Sequence, residues 1–307
     1  MLQGGKSQLR NEKNSVPLIL TRQGLIKQEP SIKDSIQRAT TSTGTTRPLH
    51  AIKQNNLRIS ASIYVASNIL YNLGKPIGVM KTVILAGGFG KRLKPLTDTR
   101  PKPMIEVLNI PIIEWQVRWL RRFGIKEFVI CAGYMKEMIV DHMGNGARFD
   151  SRIQYSFEEK ALGTGGALLN SKELLSGQDS FFVLNGDVLT ELDPNRLLDS
   201  TNPNVLAVVP LRSPFGVVEL DVNSKVRGFI EKPQISDKWI NAGLYRFTSE
   251  VFSYLPQEGN IEVTALPGLA KDGKLQAVRY KHVFWRSIDS HKDIEEASQE
   301  IREAKLL

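Results

Sequence analysis

The sequence predicts an α/β fold with a mixed, mostly parallel central sheet, helices on both of its faces and a small added β layer. From residue 80 to residue 190, short apolar runs alternate with segments whose apolar residues recur at helical spacing, which is typical of a parallel sheet covered by helices. After Val205, short strands follow one another with little helix between them. Residues 1–79 lack this alternation and show helical spacing only at Ile63, Ala66, Ile69 and Leu70, so the expected folded body spans residues 80–307.

The predicted elements follow in a regular order. Lys81–Ala86 is the first strand, and Ile113, Val117 and Leu120 mark one face of the first helix. The alternating part continues with a strand at Glu127–Ala132, a helix at Met135–Met143, and then Ile153–Phe157 (strand), Gly165–Leu175 (helix) and Phe181–Leu184 (strand). The added β layer is predicted from Val205–Pro210, Gly216–Leu220, Val226–Ile230 and Ile240–Phe247. A last helix turns Ile294, Ala297 and Ile301 inward and Glu295, Glu296, Glu300 and Glu303 outward.

The net charge of +9 is concentrated in residues 1–79. That segment holds eleven Lys and Arg but three Asp and Glu, so it carries +8, whereas the other 228 residues carry about +1. A basic chain raises nucleic acid as a partner, but here the folded body is close to neutral. We therefore do not expect the body to bind nucleic acid, and only the basic leader keeps that alternative open.

Residues 1–79 form a leader that we expect to be largely disordered, because its Gln, Asn, Ser and Thr bury too little apolar surface to offset the entropy lost on ordering. Three interpretations stay open: translation upstream of a true start at Met80, a transit-like peptide, or a genuine extension that docks on the body. The sequence has no apolar run of membrane-spanning length and no signal-peptide pattern. The expectation is a cytoplasmic protein that does not partner with a membrane.

A glycine-rich turn, Gly87-Gly88-Phe89-Gly90, follows the first predicted strand. Glycines let backbone N–H groups approach phosphate oxygens closely, so such a turn favours anion binding. The turn is neither a P-loop nor a clean Gly-x-Gly-x-x-Gly motif, and alone it is weak evidence. Basic residues and prolines follow it in the segments Lys91-Arg92-Leu93-Lys94-Pro95-Leu96-Thr97 and Pro101-Lys102-Pro103.

The stretch Leu85–Pro103 resembles the signature of the sugar-1-phosphate nucleotidyltransferases, and the resemblance covers essentially all of residues 80–300. It implies a Rossmann-like three-layer, GT-A-like fold for residues 80–307, with an enzyme activity. The implied substrates are a nucleoside triphosphate and a sugar 1-phosphate of the glucose-1-phosphate or mannose-1-phosphate type. The implied products are a nucleotide sugar and pyrophosphate. The oligomeric state stays open, with a homo-oligomer as one option.

The resemblance also assigns the nucleotide half of the site. The residues matched to nucleotide contacts are Leu85, Gly87, Gly88, Gly90, Arg92, Gly163 and Thr164. Arg92 and Lys102 match the cations that neutralise the reacting phosphates in the family. Lys91 stands where the family usually has Thr or Ser, which adds a cation to the loop. Thr164 lies in the motif Leu162–Leu168, where it also fits a helix cap.

Two aspartates are matched to an Mg²⁺ site. Asp187 ends the run Phe182-Val183-Leu184-Asn185-Gly186-Asp187, and a carboxylate after a parallel strand lies where ligands bind in open α/β sheets. Mg²⁺ is commonly held by one or two carboxylates together with substrate phosphates. Many family members place the second metal aspartate at the position of Ser287, but the cytidylyltransferase branch has Trp-x-x-x-Asp, which Trp285 and Asp289 fit. Asp289 also fits a cap of the last helix.

The sugar-phosphate half is matched to the segments Pro214–Glu219, Phe229–Pro233 and Ile240–Gly243. Lys232 matches the lysine that holds the sugar phosphate, and the positions matched to sugar hydroxyls are Gly216, Glu231 and Asn241. The implied catalytic set is Arg92, Lys102 and Asp187, acting in a direct displacement. Other interpretations stay open: cytidylyl transfer to phosphocholine or inositol phosphate, or a catalytically silent regulatory subunit. The base is also open, with the Trp-x-x-x-Asp form favouring cytidylyl transfer.

Overall fold

The computed structural model describes residues 80–304, so the predictions for the leader lie outside the described residues. The strands are β1 (Lys81–Leu85), β2 (Glu106–Val107), β3 (Ile110–Pro111), β4 (Glu127–Ala132), β5 (Arg152–Phe157), β6 (Ser180–Asn185), β7 (Val188–Thr190), β8 (Val205–Arg212), β9 (Val217–Leu220), β10 (Val226–Ile230), β11 (Gln234–Thr248), β12 (Gln276–Arg279) and β13 (Trp285–Ser287). The α-helices are α1 (Ile112–Arg122), α2 (Lys136–Met143), α3 (Gly163–Asn170), α4 (Ala265–Lys271) and α5 (His291–Ala304).

Seven strands form the central sheet in the order β12-β8-β11-β6-β1-β4-β5. β1 pairs in parallel with β4 and β6, and β5 extends the parallel part beyond β4. β11 is antiparallel to both of its neighbours, β6 and β8. Because the carboxyl ends of parallel strands meet at one edge of a sheet, the chain leaves β1, β5 and β6 at the same edge. The residues just beyond these three strands include Gly87, Glu158 and Asp187.

The predicted fold class is confirmed, with one correction to the added β layer. The strands predicted at 205–210 and 240–247 belong to the central sheet as β8 and β11. Between them, β9 and β10 form a separate two-stranded antiparallel sheet. The reason lies in the length of β11, whose 15 residues pair with β6 on one side and with β8 on the other.

Alternate residues of the central strands face opposite sides of the sheet and bury two cores. On β1, Ile84 packs with the residues of α1 and α2, whereas Val83 packs with α3 and α4. The sheet is therefore covered by helices on both faces, which gives the three layers that the sequence predicts. The single cysteine, Cys131 on β4, lies fully buried in the second core, and burial raises the pKa of its thiol to about 12.

Helix α3 is shorter than the predicted 165–175 helix. It begins at Gly163 and ends at Asn170, and a 3-10 turn, Lys172–Leu175, continues the chain. Ser171 is buried between the two, and its backbone N–H donates to both Ala167 O and Leu168 O, which tightens the last turn. No helix among residues 80–304 is long and apolar enough to cross a membrane.

Helix α5 buries Ala297 and Ile301 as predicted. Its start is closed by a capping box, in which Asp293 Oδ2 accepts from the backbone N–H of Ser290 at 2.7 Å while Ser290 Oγ accepts from Asp293 N–H at 3.3 Å. Glu296 and Glu300, predicted to face outward, are 36% and 31% exposed, and both carboxylates pair with Arg286 of β13.

Candidate active site

A cavity of about 360 Å³ opens at the carboxyl edge of the central sheet. Every residue predicted to contact the nucleotide or the metal lines it: Leu85, Gly87, Gly88, Gly90, Arg92, Lys102, Gly163, Thr164, Asp187 and Asp289. The positions come from four separate stretches of chain, and the parallel strands bring them together. The cavity therefore has glycine backbone, cations and carboxylates in its walls.

The tight turn of the loop depends on Gly90. Its φ is +60°, and a Cβ there would lie 2.9 Å from Thr97 Cγ2 and 3.0 Å from Lys102 Cβ. Thr97 Oγ1 in turn donates to Gly90 O at 3.1 Å, which ties the loop to the segment that follows it. Only glycine has both the left-handed backbone and the space that this turn requires.

One ammonium group joins the two predicted metal ligands. Lys102 Nζ lies 2.7 Å from Asp187 Oδ2 and 2.9 Å from Asp289 Oδ1. The Lys102 side chain is 13% exposed, so these contacts are largely shielded from solvent. Arg92 NH2 adds a second cation, 2.9 Å from Asp289 Oδ1. The geometry shows that the two carboxylates converge on a common point, where a positive charge already fits.

Asp289 faces the cavity and does not cap α5. Its second oxygen, Oδ2, accepts from Ser287 Oγ at 2.8 Å, while Ser290 and Asp293 provide the cap. Burial by itself raises the pKa of Asp289, but the hydrogen bond and charge of Lys102, with Ser287 and Arg92, outweigh burial and hold the pKa below its ordinary value. Asp289 therefore stays a carboxylate at neutral pH. The capping interpretation of Asp289 is wrong, because Ser290 and Asp293 close the start of α5.

Thr164 is fixed by a loop 98 residues further along the chain. Its Oγ donates to Glu262 Oε2 at 2.8 Å and accepts from the Ile261 N–H at 2.9 Å. Its own N–H donates to Asn260 Oδ1 at 3.2 Å. The helix begins one residue earlier, at Gly163, and has no side-chain cap. The interpretation of Thr164 as a helix cap is therefore wrong, and its hydroxyl anchors the motif to the 259–262 loop.

Glu158 is a wall residue that the sequence analysis missed. It follows β5 and is 7% exposed. Its Oε2 accepts from the Leu162 N–H at 3.0 Å, whereas Oε1 is buried without a hydrogen-bond partner. Burial raises the pKa of this carboxyl, and the hydrogen bond from Leu162 opposes that rise only in part. One feature of the sequence does point to Glu158, because this carboxylate follows a predicted parallel strand as Asp187 does.

A second cavity, of about 610 Å³, adjoins the first. Ser287 lines the second cavity and Asp289 lines the first, so their 2.8 Å hydrogen bond marks the boundary. Lys232 is the predicted sugar-phosphate residue that lines the second cavity. Its φ of +46° is a strained conformation for a residue with a side chain.

The other predicted sugar-phosphate residues lie near that cavity without lining it. A Cβ on Gly216 would lie 3.0 Å from Glu231 Oε2, so these two are in contact with each other. Asn241 is turned inward, since its Nδ2 donates to Tyr245 OH at 2.6 Å and its Oδ1 accepts from the Gly243 N–H at 3.0 Å. The structure therefore brings Lys232 to the second cavity but engages the Asn241 amide within the fold.

The family of this chain is shown by a match that extends over nearly all of the described residues. A model of the nucleotidyl transferase family matches residues 81–304. The chain belongs to the nucleotidyl transferase family. The match begins at the first residue of β1 and ends with α5, so it includes the residues that line both cavities.

Two similar proteins share this region. The bifunctional protein GlmU of Methanococcus maripaludis is 38% identical over 224 residues, which cover 70% of this chain and 53% of GlmU. The mannose-1-phosphate guanylyltransferase catalytic subunit beta of Danio rerio is 36% identical over 226 residues, covering 70% of this chain and 62% of that protein. The chain thus spans about half to three-fifths of these relatives.

A solved structure shares the same architecture. The crystal structure of HddC from Yersinia pseudotuberculosis complexed with GMP-PN superposes with a TM-score of 0.58 and 25% sequence identity. It covers 72% of this chain and 99% of the HddC chain. Nearly the whole of the HddC chain is therefore matched by the described body.

Proposed function

We propose that this chain transfers a nucleoside monophosphate from a nucleoside triphosphate to a sugar 1-phosphate and releases pyrophosphate. The observation that carries the proposal is the Lys102 ammonium held between Asp187 and Asp289, in a glycine-walled cavity beside a second cavity that contains Lys232. A nucleotide phosphate and a second phosphate have separate places to bind there. The names of the similar proteins support the same reaction class.

The reaction is a direct displacement. An oxygen of the sugar 1-phosphate attacks the α-phosphorus, and the bond from the α-phosphorus to the oxygen bridging to the β-phosphorus breaks. Pyrophosphate carries that oxygen away, so atoms and charge balance. The attacking oxygen is already an anion at neutral pH, and no general base is required. Catalysis then rests on positioning two anions and neutralising their charge, the tasks of Arg92, Lys102 and Lys232.

Mg²⁺ is the proposed cofactor, with Asp187 and Asp289 as its ligands. The fit is supported by the convergence of two carboxylate oxygens on one cation, Lys102 Nζ, at 2.7 and 2.9 Å. Hard oxygen donors are the ligands that Mg²⁺ prefers. When bound, the ion supplies charge neutralisation for the reacting phosphates. Ser287, which donates to Asp289, orients that carboxylate.

The base we propose is guanine, because Glu158 lines the cavity and its Oε1, which is buried against Gly87 in the structure, has no hydrogen-bond partner. Guanine presents two neighbouring donors, N1–H and the 2-amino group, to such an acceptor. Uracil and thymine flank their one N–H with carbonyl oxygens, and cytosine places an acceptor nitrogen beside its amino group. A buried acceptor rejects bases that leave it unpaired. This proposal departs from the cytidylyl transfer that the Trp-x-x-x-Asp form favours.

The test is a matrix of four triphosphates (GTP, CTP, UTP, dTTP) against five acceptors: glucose 1-phosphate, mannose 1-phosphate, phosphocholine, inositol phosphate and water. Pyrophosphate release is measured on the full chain, with Asp187→Asn as the control for contaminating activity. We expect release that requires a sugar 1-phosphate and is fastest with GTP. Turnover with phosphocholine alone would reject the sugar acceptor. No turnover with any combination of triphosphate and acceptor would support a catalytically silent subunit. Cytoplasmic location and homo-oligomerisation stay predictions.

A further inference from the structure

The cations around the nucleotide cavity differ in whether a carboxylate neutralises them. Arg92 contacts Asp289 at 2.9 Å, and Lys102 contacts both Asp187 and Asp289. Within this group, two cations face two carboxylates, so the charges cancel. A cation in the cavity wall that has no carboxylate partner adds net positive charge, which favours a ligand with three or four negative charges.

Lys91 is such a cation. It lines the same cavity and is exposed, and none of the ion pairs formed within residues 80–304 includes it. It follows Gly90, whose left-handed backbone directs the chain out of the glycine turn. Lys94, three residues on, is exposed as well, but it pairs with Asp98 at 2.9 Å and does not line the cavity. Lys91 thus adds an unpaired positive charge to the phosphate loop.

We propose that Lys91 is a phosphate-binding residue that holds the β- and γ-phosphates of the triphosphate and the pyrophosphate they become. The assignment rests on the proposed function. Lys91 forms no ion pair with Asp187 or Asp289, so its charge remains available for phosphates other than the reacting α-phosphate, which Arg92 and Lys102 are proposed to serve. The distal phosphates carry most of the triphosphate's charge, and the leaving pyrophosphate gains more as its bond breaks. Lys91 therefore strengthens the binding of triphosphate and of pyrophosphate, but not that of the sugar phosphate.

The experiment is calorimetric titration of the full chain with inorganic pyrophosphate in the presence of Mg²⁺. The variants are Lys91→Thr, which removes the charge, Lys91→Arg, which keeps it, and Lys94→Thr, which removes a neighbouring paired charge. We expect Lys91→Thr to weaken pyrophosphate binding by about five- to tenfold, the usual size of one charge-assisted phosphate contact at an exposed site. Lys91→Arg and Lys94→Thr stay within about twofold of the unsubstituted chain.

Two further measurements distinguish a direct contact between Lys91 and pyrophosphate from a general change in the electrostatic potential of the cavity. The slope of log Kd for pyrophosphate against log salt concentration should be shallower for Lys91→Thr than for Lys94→Thr, because fewer positive charges of the protein contact pyrophosphate in Lys91→Thr. In steady-state kinetics, the inhibition constant of pyrophosphate should rise while KM for the sugar phosphate stays the same. Equal pyrophosphate affinity in Lys91→Thr and Lys94→Thr would overturn the assignment.

The outcome is distinguishable from failure of the proposed function. Pyrophosphate titration reports on the phosphate loop even if no acceptor is ever converted. Weakened titration in Lys91→Thr without any turnover in the substrate matrix would leave Lys91 as a polyphosphate ligand and reject the transfer reaction. Turnover in the substrate matrix together with unchanged pyrophosphate binding by Lys91→Thr would support the transfer reaction and reject the assignment of Lys91. Equal melting temperatures of the variants show that the chain is folded in each case.

Discussion

The carboxylate of Glu158 lies directly over Gly87, so that a Cβ at position 87 would come within 2.1 Å of Glu158 Oε1. The two residues follow different strands and are 71 positions apart. Both residues line the nucleotide cavity. A residue larger than glycine at position 87 must displace a carboxylate that Leu162 N–H holds in place.

The first prediction concerns Gly87→Ala. The added methyl group displaces the Glu158 carboxylate and breaks its hydrogen bond with the Leu162 N–H, so we expect a loss of about 1 kcal/mol in the free energy of unfolding. Gly88→Ala is the matched control for stability, because a Cβ there has no neighbour within 4 Å. Thermal unfolding of both variants is the measurement. Equal melting temperatures for the two would contradict the close contact between positions 87 and 158.

The second prediction concerns Glu158→Gln. Burial raises the pKa of Glu158 above its ordinary value of 4.5, so the unfolded chain ionises first and the native state loses stability as the pH rises through that interval. The uncharged variant should therefore melt at a higher temperature at pH 7, and its advantage should vanish below about pH 4. Melting curves from pH 4 to pH 8 test this. A variant that is less stable at pH 7 would mean that the carboxylate is better stabilised than its burial indicates.

The third prediction compares Asp289→Asn with Ser287→Ala. Asp289 contacts Lys102, Arg92 and Ser287, whereas Ser287 only orients Asp289, so we expect kcat to fall at least about 100-fold for Asp289→Asn and a few-fold for Ser287→Ala. The folded pKa of Asp289 is lowered, so its stabilising contribution is present at neutral pH and is lost as the pH falls through that lowered pKa. The melting difference from Asp289→Asn should shrink over the same interval. Equal losses of kcat for the two variants would contradict these roles.

The fourth prediction concerns Thr164→Val, which keeps the shape of the side chain and removes its hydroxyl. Glu262 and Ile261 N–H each lose a hydrogen-bond partner, so we expect a loss of about 1–3 kcal/mol in the free energy of unfolding and a raised KM for the triphosphate. Thr99→Val is the control, because its hydroxyl makes one long, exposed bond of 3.5 Å to Leu96 O. An unchanged KM in a destabilised Thr164→Val chain would confine this hydroxyl to a structural role.

Much of the fold was predictable because its strands are short apolar runs. β4 and β10 have the predicted bounds, and β1 differs by one residue. The sheet partners of β8 and β11 were not predictable, since an apolar strand does not reveal whether its neighbour is parallel or antiparallel. The early end of α3 depends on Ser171, whose hydroxyl and N–H both bond to nearby carbonyls once the residue is buried.

The candidate site was predictable where the residues lie inside local motifs, as for Gly90, Lys102 and Asp187. Glu158 was not predicted, because the sequence Glu158-Glu159-Lys160 is typical of a solvated charged turn. The burial of Glu158 depends on the distant Gly87. The anchoring of Thr164 by Asn260 and Glu262 was hidden for the same reason, since these partners lie 96 and 98 residues away. The inward bonds of Asn241 likewise depend on Tyr245, whose side chain is buried only in the folded sheet.

The transfer reaction itself is tested most directly by phosphorus NMR of the full chain with GTP, Mg²⁺ and the sugar 1-phosphate that gives the fastest turnover in the substrate matrix. We expect the sugar 1-phosphate signal to be replaced by two coupled diphosphate resonances while pyrophosphate appears in equal amount, and Lys102→Met to abolish both changes. Release of GDP and inorganic phosphate with the sugar phosphate untouched would contradict it. So would full product formation by Lys102→Met.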